Sequence, residues 1–134
     1  MGWAVARTLA RYRLAVAVVE KEADAASGAT KANSGIVHAG FHSAPGTLKA
    51  RLCVRGNRLY PNLASELDVL YRANGSLMVA REAAELPRLE EYLRRGRENG
   101  VTGLRLIDRT ELLRLEPNLS PGLAGALLAL SGGI

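Results

Sequence analysis

Leu14 to Val19 is an unbroken apolar run that stops on the charged trio Glu20, Lys21 and Glu22. No other feature narrows the possible folds so far. A short run rich in valine, apolar at every position rather than at alternate ones, reads as a strand buried on both faces, the kind that sits inside a parallel sheet. Ahead of it, Gly2, Val5, Ala6, Leu9 and Ala10 recur at helical spacing with Arg7, Thr8 and Arg11 opposite, which predicts a helix over residues 2–12. A doubly buried strand needs hydrogen-bonded neighbours, and no strand precedes the helix from which this one could be reached. The expectation is a piece of a larger sheet, lacking the strand that comes first.

Residues 24–46 lose all periodicity and fill with Ser, Thr, Asn, Ala and Gly, including Gly28, Gly35, Gly40 and Gly46. So many small residues in a long loop suggest backbone that approaches a ligand closely. Pro45 and Thr47 introduce a helix to about Glu66, bent or interrupted near Gly56 and Pro61. Asn74-Gly75 between apolar stretches predicts a hairpin with Ser76 to Ala80 as its outgoing strand. A charged helix from Glu82 to Glu98 closes on Asn99-Gly100, a strand Leu104 to Ile107 meets Asp108 as a helix cap, and Gly125 to Leu130 is a last strand. The uncapped ending on Ser131, Gly132, Gly133 and Ile134 has the look of an interrupted chain.

The 134 residues, 48% of them hydrophobic, suffice for one small core but not for two complete domains. The net charge of +5 comes almost wholly from arginine, which suits phosphate and carboxylate partners. Nucleic acid is not expected, because a basic run is missing and aromatic residues make up only 4% of the chain. The single cysteine, Cys53, excludes an internal disulfide and sits at helical spacing with Leu48, Leu52 and Leu59, as a buried small hydrophobe would. No secretory leader pattern and no apolar run of bilayer length is read, so no transmembrane segment is expected. The expected address is the cytoplasm, with peripheral contact to the inner membrane face compatible with it.

A helix that opens at a glycine, followed by a buried strand ending in a carboxylate, matches the second half of a dinucleotide-binding unit. There the helix amides hold a pyrophosphate and the acid holds a ribose. Glu20 stands about 18 positions beyond Gly2, close to the separation of about 20 expected for that acid. Gly2 would be the third glycine of the G-x-G-x-x-G turn, the one that lets helix and strand pack closely. On this pattern alone NAD and FAD are both open, and so is an ordinary helix-to-strand connection with a solvated Glu20.

The loop Ser27-Gly28-Ala29-Thr30-Lys31-Ala32-Asn33-Ser34-Gly35-Ile36-Val37-His38-Ala39-Gly40, with Pro45-Gly46-Thr47-Leu48-Lys49-Ala50 after it, resembles the flavin-contacting segment of the D-amino-acid-oxidase-like FAD enzymes. The branch it is most similar to holds FAD-dependent glycerol-3-phosphate dehydrogenase and L-2-hydroxyglutarate dehydrogenase or oxidase. Gly75 to Ala80 and Leu115 to Leu119 extend the resemblance over most of the chain. It implies an α/β (α+β overall) protein with a partial FAD-binding, Rossmann-like domain over residues 1–68. The start of a mixed-sheet substrate domain would follow over 69–134.

By the same resemblance the cofactor is FAD. Gly2 would support the pyrophosphate helix, Glu20 the adenosine ribose, and Lys21 the adenine end. Thr30, Asn33, Ser34 and Gly35 would offer donors to the pyrophosphate and the flavin ring. His38 is the catalytic candidate, through flavin contact or deprotonation of substrate, beside the plainer reading of a hydrogen-bonded structural imidazole. His42 has no assigned role. The implied reaction is hydride transfer from a hydroxyl-bearing carbon to flavin N5, with an anionic substrate of the glycerol 3-phosphate or L-2-hydroxyglutarate type and quinone or oxygen as electron acceptor. No metal is expected. The alternative is a catalytically inactive fragment or gene remnant.

Overall fold

The computed structural model describes residues 2–134, and they sort into two units, Met1–Ser34 and Gly35–Ile134. In the first, α1 spans Gly2–Leu9. Its last turn is continued by the Ala10 amide, which donates to the Ala6 carbonyl at 2.8 Å. Leu14 to Val19 form no strand, contrary to expectation. Leu14, Val16, Val18 and Val19 are exposed, Val19 to 94%. The physical reason is that a strand exists only through its ladder, and no described residue of this unit belongs to another strand.

The second unit is built around a three-stranded antiparallel sheet. Its strands are β1 (Ser76–Ala80), β2 (Leu104–Asp108) and β3 (Gly125–Ala129), in the order β1-β3-β2. Last in sequence, β3 lies in the middle, and all five of its residues are buried. On one side Leu127 and Ala129 join Ala39, Phe41, Val54, Ala80, Leu89 and Val101; on the other Ala126 and Leu128 join Ile107, Leu112 and Leu123. Gly125, Ala126 and Ala129 keep parts of β3 small, and Gly125 sits where a Cβ would come within 2.8 Å of the Ile107 carbonyl.

Three helices complete this unit: α2 (Leu48–Glu66), α3 (Leu86–Glu98, after a 3-10 turn at Ala83–Glu85) and α4 (Arg109–Leu115). Thr47 starts α2 by accepting the Ala50 amide on its hydroxyl at 3.2 Å. Asp108 starts α4 by accepting the Glu111 amide on its carboxylate at 2.8 Å, as its place after a strand implied. Helix α2 runs unbroken through Gly56 and Pro61, where a bend or an interruption was expected, so no interruption occurs. The hairpin at Asn74-Gly75 is also corrected. Strand β1 pairs with β3, while the residues before it bond to the chain's last residues, Arg72 exchanging both backbone bonds with Ile134 and the Gly75 amide donating to Gly132. Non-local pairing with a central strand outweighs the local turn signal. Residues 35–68 thus share one core with residues 69–134.

Candidate functional site

The residues singled out for a dinucleotide fall in both units. In the first, Gly2 opens α1, and a Cβ placed on it would touch Val18 Cγ1 at 4.0 Å. The start of the helix therefore lies beside a residue two positions before Glu20, in a segment that forms no strand, and an alanine would also fit at Gly2. The Glu20 carboxylate is exposed and accepts the Glu22 amide at 3.1 Å. Lys21 Nζ lies 3.4 Å from the Glu22 carboxylate on an exposed surface, a pair of small energetic weight.

Thr30, Asn33 and Ser34 are exposed, and the Asn33 side-chain amide donates to the Thr30 carbonyl. The loop is locally knit by the Ser27 hydroxyl to the Asp24 carbonyl at 2.9 Å and the Lys31 amide to the Gly28 carbonyl at 3.1 Å. Gly35, the first residue of the second unit, has φ +69° with open space where a side chain would stand. Backbone conformation, not crowding, calls for glycine there. Hydroxyl, carboxamide and backbone donors on an exposed loop are the donor set that the phosphates and ring of a flavin dinucleotide require, so the residues fit such a group.

His38 lines a small cavity of about 160 Å³, together with Gly40, His42, Ser43, Lys49 and Cys53. Its ring meets that of His42 edge-on at 5.9 Å, and His42 in turn stacks on Phe41 at 3.9 Å. The His42 pKa is lowered, by burial first and then by the positive charge of His38 and Lys49. Burial pushes the Cys53 thiol up, with Lys49 opposing.

Two asparagines hold the loop that carries these side chains. Asn57, on the buried face of α2, donates from Nδ2 to the His38 carbonyl at 3.2 Å and to the Ser131 carbonyl at 2.6 Å. Asn99, capping α3, donates from Nδ2 to the carbonyls of Gly40 at 3.0 Å and Ser43 at 2.9 Å. Between them Gly40 adopts φ +108°, and a Cβ there would meet Val54 Cγ2 at 2.6 Å. Sequence reasoning did not name Asn57, and it named Asn99 only as the end of a helix. The signal for Asn57 was present: a polar residue at the same helical register as Ala50, Val54 and Ala64. Among the described residues no cluster of three or more metal-ligating side chains occurs, and no helix is long and apolar enough to cross a membrane.

Comparison with known proteins gives this geometry a context. The family model described as FAD dependent oxidoreductase matches residues 1–134. The chain is 41% identical, over its whole length, to the glycerol 3-phosphate dehydrogenase of Caloramator mitchellensis, of which it covers 28%. It is 44% identical over 87% of its length to the mitochondrial L-2-hydroxyglutarate dehydrogenase of Mus musculus, covering 26% of that protein. The chain thus spans about a quarter of the length of the curated relatives it matches.

Among solved structures, the FAD-bound L-alpha-glycerophosphate oxidase of Mycoplasma pneumoniae superposes with a TM-score of 0.66 at 26% identity, covering 75% of this chain and 27% of the oxidase. The glycine oxidase of Geobacillus kaustophilus superposes with a TM-score of 0.69 at 26% identity, covering 80% of this chain and 30% of that one.

Proposed function

This chain belongs to the FAD-dependent oxidoreductase family, and from that premise we propose that it supplies the amino-terminal part of an enzyme oxidising an anionic hydroxy compound. Its substrate is of the glycerol 3-phosphate or L-2-hydroxyglutarate type, the two activities named for its relatives. The observation that carries the reading is the exposed run from Thr30 to Gly35, rich in donors and leading straight into His38.

Bound FAD would supply the hydride acceptor, its N5. The chain's own residues hold and orient. The start of α1 at Gly2 would hold the pyrophosphate, Glu20 would accept from the ribose hydroxyls, and Lys21 would flank the adenine. Thr30, Asn33, Ser34 and Gly35 would donate to the phosphates and the ring. His38 takes the proton of the substrate hydroxyl on its imidazole as the carbon is oxidised. On this reading residues 1–68 belong to the cofactor domain and 69–134 begin the substrate domain, the boundary falling inside the core that residues 35–68 share with the rest. Electrons pass on to a quinone or to oxygen, and the enzyme works in the cytoplasm or against the inner membrane face.

The 134 residues alone turn over no substrate on this reading, because most of a relative's length is needed to enclose cofactor and substrate away from water. The test is a visible spectrum of this chain beside a form extended toward its relatives' full length, each mixed with FAD. Flavin bands retained by the extended form, and bleached by glycerol 3-phosphate or L-2-hydroxyglutarate, are expected. Absence of flavin from both forms overturns the proposal.

A further inference from the structure

Asn57 is the one polar residue that α2 buries, set among Ala50, Val54 and Ala64. A carboxamide nitrogen has two protons. Here the nitrogen reaches two carbonyls from distant parts of the chain, those of His38 and Ser131. One helical turn earlier, Cys53 Sγ lies 3.7 Å from the same His38 carbonyl, so two groups of α2 converge on that oxygen.

A regular strand at this place would satisfy its own carbonyls in a ladder. The segment is instead irregular, since only Val37 bridges, to Gly133, and the chain then turns so that the His38 ring lines the cavity. An inward carbonyl without a ladder partner needs a side-chain donor, because leaving it unsatisfied costs about 1–3 kcal/mol. Leucine has the branched outline of Asn57 but no donor, and would strand both oxygens.

We propose that Asn57 is a positioning residue for His38: by fixing the carbonyl it fixes the Cα from which the imidazole projects. This rests on the reading of His38 as the residue that takes the substrate proton. Asn99 secures the far end of the same loop at Gly40 and Ser43. The two amides therefore have separable effects, Asn57 on His38 and Asn99 on the His42 end.

The test is carried out on this chain with isotope labelling. In the wild type the Asn57 carboxamide protons exchange slowly, as hydrogen-bonded protons do; exchange at the rate of a free amide overturns the proposal even if no variant folds. In Asn57→Ala the His38 ring resonances move and broaden, while the indole resonance of Trp3 stays in place. Ser131→Ala leaves His38 unchanged, because Asn57 uses the Ser131 carbonyl and the Ser131 hydroxyl has no partner.

In the flavin-loaded extended form, Asn57→Ala lowers kcat by about a hundredfold, the scale of a misplacement near 1 Å, with smaller change in KM. An Asn57→Ala chain that melts earlier but keeps wild-type His38 resonances and kcat shows a purely structural asparagine and overturns the proposal. The functional reading fails separately. If neither form takes up flavin while His38 still responds to Asn57→Ala, the link to substrate is lost and the clamp stands as geometry only.

Discussion

Two stretches of this chain have nearly the same chemistry and opposite fates. Leu14 to Val19 and Gly125 to Ala129 are both short, apolar at nearly every position and free of charge. The first makes no strand and leaves Val19 94% exposed, whereas the second is the fully buried centre of a sheet. The difference lies outside the residues themselves. Strand β3 has β1 on one side and β2 on the other, in register from Ser76↔Ala129 to Asp108↔Gly125, and helices over both faces. An apolar run specifies that a strand can be buried, and its neighbours decide whether it is.

The comparison is broken most forcefully at Leu127, whose side chain has no exposed surface. Leu127→Ala is expected to cost about 2–5 kcal/mol, the range for a large buried aliphatic side chain cut to alanine in a packed core. Val19→Ala, in the run of similar composition, should change stability by less than about 0.5 kcal/mol, because it removes nothing that is packed. Urea unfolding followed by circular dichroism measures both. Comparable losses at the two sites would mean that residues 14–19 are held by something as firm as β3, and the contrast would vanish.

What the sequence made legible follows the same line. The cap at Asp108, the strands from Ser76 and Leu104, the helix ending at Asn99-Gly100 and the strand at Gly125 depend on local patterns, and they stand where expected. The misread elements depend on partners. Asn74-Gly75 has the composition of a hairpin turn, yet β1 finds β3 some fifty residues on, and the chain's last residues take the place of an incoming strand. In the candidate site, the exposed small-residue loop and His38 could be read directly. The burial of Asn57 was legible from its helical register, but its contacts were not, because its partners lie 19 and 74 residues away and no local rule brings them together.

A smaller effect sharpens the comparison at Gly96, in the last turn of α3, where glycine within a helix ordinarily weakens the structure by up to about 1 kcal/mol relative to alanine. Helix α3 comes so close to Phe41 that a Cβ at Gly96 would stand 2.8 Å from Phe41 Cβ, and it would also collide with the end of the Leu104 side chain. Leucine can move its tip, but Phe41 is fully buried in the same core as Leu127. Gly96→Ala should therefore destabilise by about 1–3 kcal/mol despite its better helix propensity, the cost of overpacking a filled core. A stabilised variant in the same urea titration would show that the core around β3 yields more readily than its burial implies.

The smallest effect is a dependence on pH that only the packed unit should carry. Both histidines lie in it, and His42, stacked on Phe41, has its pKa held below the ordinary 6.5 by burial, then by His38 and Lys49. The unfolded chain therefore takes up this proton first as the solution is acidified, so stability is full above the ordinary value and declines as pH falls from there through the folded value. Melting followed by circular dichroism should show that decline in the wild type, and His42→Gln should flatten it. The depressed carboxylates Glu91 and Glu111 act in the same direction but from a lower starting point, near 4.5, so the two windows separate. Trp3, the chain's one tryptophan, is more than half exposed in α1 and reports on the other unit, so its fluorescence should show no step in the histidine window. A decline that persists in His42→Gln would trace the dependence to another group and remove burial of the Phe41 face as its cause.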